Sequence, residues 1–222
     1  MATANMNNAH EAASAQMYAA GLHAAMREFE RAEALASQAL TLSEQHQLAY
    51  HAAFSRCVLG QAEVRLGRPA EGIALLRRGI TGALEIGISS RVAYYTALLA
   101  EAEQQQGASA DALETIERAF QAEPDAPVFR PEIFRIRGEL RVSIGQKDRA
   151  EAEFREAIGL ARSMAAKAWE LRLALSLARL LAQRGRGDEA RTMLSEIYNW
   201  FSEGFDTPDL KDAKALLDEL AA

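Results

Sequence analysis

The chain has 222 residues, 49% hydrophobic and 25% charged, which excludes a disordered chain and supplies a packed core. The single cysteine, Cys57, excludes an intrachain disulfide, and there is no basic-then-apolar leader and no uninterrupted apolar run near the roughly 18 residues of a membrane span, so a cytoplasmic protein without a membrane partner is expected. The net charge of −6 argues against a general nucleic-acid binder, although a block of net +5 from Arg130 to Arg191 lies between flanks of −6 and −5.

In chain order, residues 1–8 are expected to be disordered, and 9–222 to form a single repeat domain. The first helical segment carries Met17, Tyr18, Leu22, Met26 and Phe29. Turn glycines then punctuate apolar-periodic segments at Gly67, Gly107, Gly145 and Gly185, at intervals of 40, 38 and 40 residues. Glycine suits the left-handed turn that ends a helix. In register with these turns, small residues fall seven before (Gly60, Ala100, Gly138, Ala178) and five after (Gly72, Ala112, Ala150, Ala190). A larger apolar residue follows nine after the turn (Leu76, Ile116, Phe154, Leu194), and Gly79, Ala119, Ala157 and Ile197 stand twelve after it. Small residues let two helix backbones approach, and the large one fills the space beside them. The first repeat fits with Arg27 in the glycine's place and Ala20, Ala32, Ala36 and Ala39 at the matching positions. Five helix pairs are predicted, at about 9–47, 48–87, 88–125, 126–165 and 166–205, closed by a capping helix at 207–220. Thr207 is expected to cap that helix, with Pro208 and Asp209 in its first turn. Trp200, Phe201 and Phe205 are expected to pack beneath it.

The order of small residue, turn, alanine, large apolar residue, alanine, clearest in Phe134, Gly138, Ala150, Phe154 and Ala157, resembles the tetratricopeptide signature. The repeat of about 40 exceeds the usual thirty-four. From Trp169 the sequence resembles the C-terminal repeat region of bacterial class III adenylate or guanylate cyclase-like proteins and predicted ATPases. The resemblance implies an all-α, right-handed solenoid of five antiparallel helix pairs with a C-terminal cap. It also implies a protein-interaction or sensory scaffold module of a signalling system. The alternative it leaves open is a small-ligand or nucleotide-responsive domain attached to, or partnering, a cyclase or ATPase.

No enzyme, cofactor or metal is expected. A phosphate-binding Gly-x-x-x-x-Gly-Lys-Ser/Thr string is missing, and His10, His23, His46 and His51 lack the spacing of a zinc site. These histidines read as surface or turn residues, and Cys57 as a small packing residue. The acidic pairs Glu101 with Glu103 and Glu151 with Glu153 read as solvated.

In stacked hairpins the first helix of each pair lines a concave face. The expected partner-binding groove holds Phe54, Gln61, Tyr94, Glu101, Arg135, Glu139, Arg172 and Arg179, with Cys57, Ala97, Gln105, Glu132, Leu175 and Gln183 at neighbouring register positions. Arg135, Arg172 and Arg179 would receive an acidic peptide, a carboxylate or a phosphate; alternatively Glu132 and Glu139, at helical spacing on the same face, neutralise Arg135. Tyr94 and Tyr95 are adjacent, so at most one faces the groove. The partner is expected to be a protein or peptide rather than nucleic acid, and if the chain is cut from a longer one, the apolar first helix would drive a homodimer through the N-terminal repeat.

Overall fold

The computed structural model describes residues 2–89, 91–122 and 128–221. Among these are eleven α-helices and no strand: α1 Ala2–Ala25, α2 Phe29–Gln45, α3 Ala49–Arg65, α4 Pro69–Glu85, α5 Val92–Gln105, α6 Ser109–Ala122, α7 Arg130–Ser143, α8 Lys147–Ser163, α9 Lys167–Gln183, α10 Gly187–Tyr198 and α11 Pro208–Glu219. The chain divides into two compact units, 1–123 with α1–α6 and 124–222 with α7–α11, where the sequence reads as one uninterrupted domain. Helix α1 starts at Ala2, inside the stretch expected to be disordered. Ala2, Ala4 and Ala9 are strong helix formers and nothing there breaks a helix, so the helix propagates back from its packed part.

The glycine turns close in one way. Gly67, Gly107, Gly145 and Gly185 have φ between +75° and +86°, and Arg27 adopts φ +63° in the same role. After each, an amide reaches back to the carbonyl five residues earlier: Arg68 to Glu63, Ala108 to Glu103, Gln146 to Arg141, Arg186 to Leu181 and Glu28 to His23, at 2.8–3.0 Å. This is the hydrogen bond that satisfies the last carbonyls of a helix when its end turns left-handed. The turns between pairs use the same bond, from Leu48 to Ser43, Ile88 to Ala83 and Ala166 to Ala161.

The size code in the repeat is the packing of each pair. All of the small positions before and after the turns are buried, and Leu76, Ile116, Phe154 and Leu194 are at most 1% exposed. A methyl group added to Gly60 would lie 2.7 Å from the Gly72 carbonyl oxygen, and one added to Gly72 would lie 2.6 Å from the Gly60 carbonyl oxygen. At Gly138 the added group would meet the Phe154 ring. The backbones therefore touch where the residues are smallest, and the large side chains fill the adjoining space.

In the second unit α11 packs on α9 and α10 and buries Leu210, Ala213 and Leu216, while Leu217 and Leu220 beside them are half-buried. Thr207 stands at the N-cap in extended conformation, yet its hydroxyl donates to the Gly204 carbonyl at 2.7 Å and caps no amide of α11. Gly204, at φ +76°, ends the preceding turn on that side of the threonine. Trp200 and Phe205 are 59% and 46% exposed and do not form the expected core. Helix α10 ends at Tyr198, so these residues lie beyond the helical periodicity on which that expectation rests. Trp200 packs edge-on against Phe201, with the Lys167 ammonium 5.4 Å from its ring centre.

Candidate functional site: the faces of the first helices

In the first unit, α1, α3 and α5 are the first helices of successive pairs, and polar rungs join them. Ser14 on α1 and the ring Nε2 of His51 on α3 hydrogen-bond at 2.7 Å. From α3 to α5, Gln61 donates to the Tyr94 hydroxyl at 3.5 Å, and Arg65 pairs with Glu101 at 2.5 Å. Tyr94 and Glu101 are half-buried, whereas Gln61 is nearly and Phe54 entirely buried. Phe54 supports the face from below, between Tyr50 and Tyr95 at ring separations of 4.9 and 6.0 Å. Cys57 and Ala97, one turn along, are buried too, and Gln105 is exposed at the end of α5. Flanking helices cover both sides of α3, which makes its open strip narrower than register alone predicts. Of the two adjacent tyrosines, Tyr95 packs inside, where burial pushes its hydroxyl pKa far up. Burial does the same to the Cys57 thiol, which rests against the backbone space left by Gly79.

In the second unit the corresponding helices are α7 and α9, followed by α11. Arg135 lies between Glu132 and Glu139, 2.7 Å from a carboxylate oxygen of each. Glu139 also accepts a hydrogen bond from Ser176 on α9 at 2.7 Å. Arg172 pairs with Asp209 on α11 at 2.7 Å, with its guanidinium carbon 5.3 Å from the Trp169 ring centre. Leu175 is buried, and Arg179 and Gln183 are exposed. The eight groove candidates thus fall four in each unit, and two of the three arginines hold carboxylates from their own unit.

The acidic pairs are not solvated. Glu103 is 5% exposed and pairs with Arg77 at 2.8 Å; Glu153 is 6% exposed and pairs with Arg137 and Arg141 at 2.5 and 2.7 Å. Glu151 receives Arg155, Arg184 and Arg186. Burial alone would raise its pKa, but the hydrogen bonds from Arg155 and Arg186 outweigh it and hold the carboxyl below its ordinary range. His51 departs from a surface or turn residue as well, being 5% exposed. Its pKa is lowered by burial and then by His10, whose ring lies 4.6 Å away.

Sequence reasoning missed Arg91. It precedes α5 at φ +66°, donates to the Tyr50 hydroxyl at 2.6 Å, and has its guanidinium carbon 4.4 Å from the Phe54 ring centre. A signal for such contacts exists in the sequence. Ser14 with His51, Tyr50 with Arg91, Gln61 with Tyr94, Arg65 with Glu101, Glu139 with Ser176 and Arg172 with Asp209 are 33 to 41 residues apart, about one repeat. Pairing polar residues at that offset would have found them. No cluster of three or more His, Cys, Asp or Glu able to hold a metal ion occurs among the described residues, and none of the described helices is long and apolar enough to cross a membrane.

Helix pairs with left-handed turns, small residues at the close approaches and a closing helix are matched by a known family over residues 13–216. The chain belongs to the MalT-like TPR region family. No curated protein sequence matches it. Among solved structures, a thermophilic TPR protein of Thermus thermophilus is similar at TM-score 0.69 and 18% identity, over 92% of this chain and 98% of that one. A signal transduction ATPase with numerous domains from Pyrococcus horikoshii, carrying a tetratricopeptide repeat sensor, is similar at TM-score 0.68 and 17% identity, over 94% of this chain and 32% of that one. The Rap conjugation gene regulator of plasmid pLS20, solved with the Phr* peptide, is similar at TM-score 0.66 and 15% identity, over 95% of this chain and 63% of that one. At these identities the likeness is one of fold.

Proposed function

We propose that this member of the MalT-like TPR region family is a protein-interaction module that takes a protein or peptide partner along the faces of its first helices. The observation that carries the reading is the α3/α5 face, where half-buried Tyr94 and Glu101 stand beside Gln61 and Arg65. An aromatic ring with a polar tip among adaptable polar groups suits recognition of a polypeptide. The fold is shared with a Rap regulator solved with a peptide, which supports the same use. In the second unit, taken by itself, Arg135, Glu139, Arg172 and Arg179 are the candidate surface residues. The test is affinity capture with the whole chain against Tyr94→Ala and the charge reversal Arg135→Glu with Arg172→Glu, each first checked for wild-type thermal unfolding. Loss of a specific partner supports the groove; an unchanged set of partners removes it.

A finer reading places the module in a signalling system, as the sensor attached to or partnering an ATPase or cyclase core. It is favoured by the likeness to the Pyrococcus horikoshii ATPase with its repeat sensor. A thermal-shift panel of nucleotides and metabolites separates a ligand-responsive domain, which gains stability from one member, from a purely protein-binding one.

Self-association through the N-terminal repeat has its own support. Nine and five residues before the turn stand Val58 and Ala62 on α3, Leu98 and Ala102 on α5, and Ser176 and Leu180 on α9, all at most 6% exposed beneath the preceding pair. Their counterparts on α1, Tyr18 and Leu22, are 56% and 61% exposed. Helix α1 has Glu11 as its one acid and no lysine or arginine, so two copies meet there without like-charge repulsion. Sedimentation of wild type against Leu22→Glu decides this: a dimer that the substitution dissociates supports it, and a wild-type monomer at high concentration removes it.

A further inference from the structure

The arginine the sequence reading passed over is the most unusual cation on the candidate face. Most half-buried arginines in this protein hold a carboxylate: Arg65 holds Glu101, Arg135 holds Glu132 and Glu139, Arg137 and Arg141 hold Glu153, and Arg172 holds Asp209. Arg91 is half-buried as well, yet its contacts are neutral. They are the Tyr50 hydroxyl at 2.6 Å, the Phe54 ring at 4.4 Å and the Tyr18 ring at 5.6 Å. The positive charge is felt by the buried Cys57 and Tyr95 groups, and no described carboxylate neutralises it. A cation drawn partly out of water without a counter-ion is held at a cost.

The backbone adds to that cost. Arg91 adopts φ +66°, a left-handed conformation that a side chain with a Cβ rarely takes. Arg27, Gln47 and Ala165 share the sign, but they close helix ends at the repeat turns, whereas Arg91 opens α5 after Gly87 has already ended α4. Such strain persists when the surroundings over-determine it. Here Tyr50 orients the guanidinium from α3, and the Tyr18 ring on α1 lies 5.6 Å from it. Three successive first helices therefore meet at one charge. The two rings lie against the guanidinium and Tyr50 takes an Nη2 proton, leaving the other N–H groups for a planar acceptor.

We infer that Arg91, oriented by Tyr50 and flanked by Phe54 and Tyr18, is a binding site for a carboxylate carried by a peptide lying on the α1/α3/α5 face. The inference rests on the interaction reading and gives it a ligand chemistry. It moves the anion site from Arg135 and Arg172, which are neutralised within their own unit, to the first unit. Guanidinium and carboxylate match through parallel, charge-assisted hydrogen bonds, which are stronger than neutral ones.

The test uses the whole chain and fluorescein-labelled octapeptides of alternating leucine and glutamate with both ends blocked. The comparisons are the glutamine counterpart and the glutamine peptide with a free C-terminal carboxylate. The glutamate peptide, or the free terminus if the site takes chain ends, is expected to bind at least about tenfold more tightly than the blocked glutamine peptide, the size of one charge-assisted pair. Arg91→Gln abolishes that preference and Tyr50→Phe narrows it, while Arg78→Gln, an exposed arginine on α4 away from the candidate face, leaves it intact. If Arg91→Gln unfolds, Tyr50→Phe carries the test. Equal binding of all three peptides, or a preference that survives in a folded Arg91→Gln, overturns the site and leaves the interaction reading standing. Displacement by inorganic phosphate as effective as by the unlabelled peptide overturns the peptide assignment. No binding by any peptide also overturns the site, and the interaction reading is then decided by partner capture alone.

Discussion

At the scale of single residues, two glycines in helix interiors should respond oppositely to alanine. Gly159 on α8 has open space where a methyl would go, so Gly159→Ala gains helix propensity and should stabilise by up to about 1 kcal/mol. Gly60 gains the same propensity, but its methyl would lie 2.7 Å from the Gly72 carbonyl oxygen and 2.9 Å from the Leu76 amide nitrogen. Those are backbone atoms and cannot rotate away, so overpacking of about 1–3 kcal/mol should win. Urea midpoints of the two variants check both signs. His51 makes a pH-dependent contribution. Burial and His10 hold its folded pKa below the ordinary 6.5, so the unfolded chain binds more protons between those two values. Its contribution to stability is complete above about pH 6.5 and is lost as pH falls toward the folded value. Thermal unfolding from pH 8 to 5 should show a shallower decline in His51→Gln than in wild type, and identical slopes would contradict this assignment. Local spacing gave no sign of this for His51, because Ser14 and His10 stand on α1 about one repeat away, and only pairing polar residues at that offset brings Ser14 to it.

At the scale of elements, the hairpins were legible because the pattern that builds them is local. A turn residue, a small residue on each side and a large one nearby fix where two adjacent helices touch, and Arg27 fills the role with φ +63° even without glycine. Side-chain pairing between successive first helices was not legible from helical spacing within one element. Glu103 looks like a surface carboxylate along its own helix until Arg77 on α4 pairs with it, and Glu151, whose helix offers Arg155 one turn along, also receives Arg184 and Arg186 from about a repeat away. The closing helix α11 shows which kind of contact matters more. Leu210 is 3% exposed, so Leu210→Ala should cost about 2–4 kcal/mol of second-unit stability. The Lys214–Asp218 pair on its outer face is 55% and 65% exposed, and Lys214→Ala should change stability by less than about 0.5 kcal/mol. Chemical denaturation of the two variants ranks packing against surface charge in the cap.

At the scale of the whole molecule, the net +5 between Arg130 and Arg191 describes composition more than available charge. Arg135, Arg137, Arg141, Arg155, Arg162, Lys167, Arg172, Arg184 and Arg186 all hold carboxylates in the second unit. The division of the chain at Glu123 and Pro124 has a direct consequence for folding. Phe54, Leu76 and Ile116 are fully buried in the first unit, and Phe154, Leu177 and Leu194 in the second, so each unit has large side chains around which its own helices pack. Repeat proteins draw stability from each pair and from its contact with the next, and both units contain at least two pairs or a pair with a cap. Residues 1–122 and 128–222, produced as separate chains, should each give a helical far-UV spectrum and a cooperative urea transition. Leu76→Ala in the first and Leu194→Ala in the second should each lower stability by about 2–5 kcal/mol, the range for emptying a closed core position. A fragment with helical signal but no cooperative transition would show that its core is not closed by its own helices.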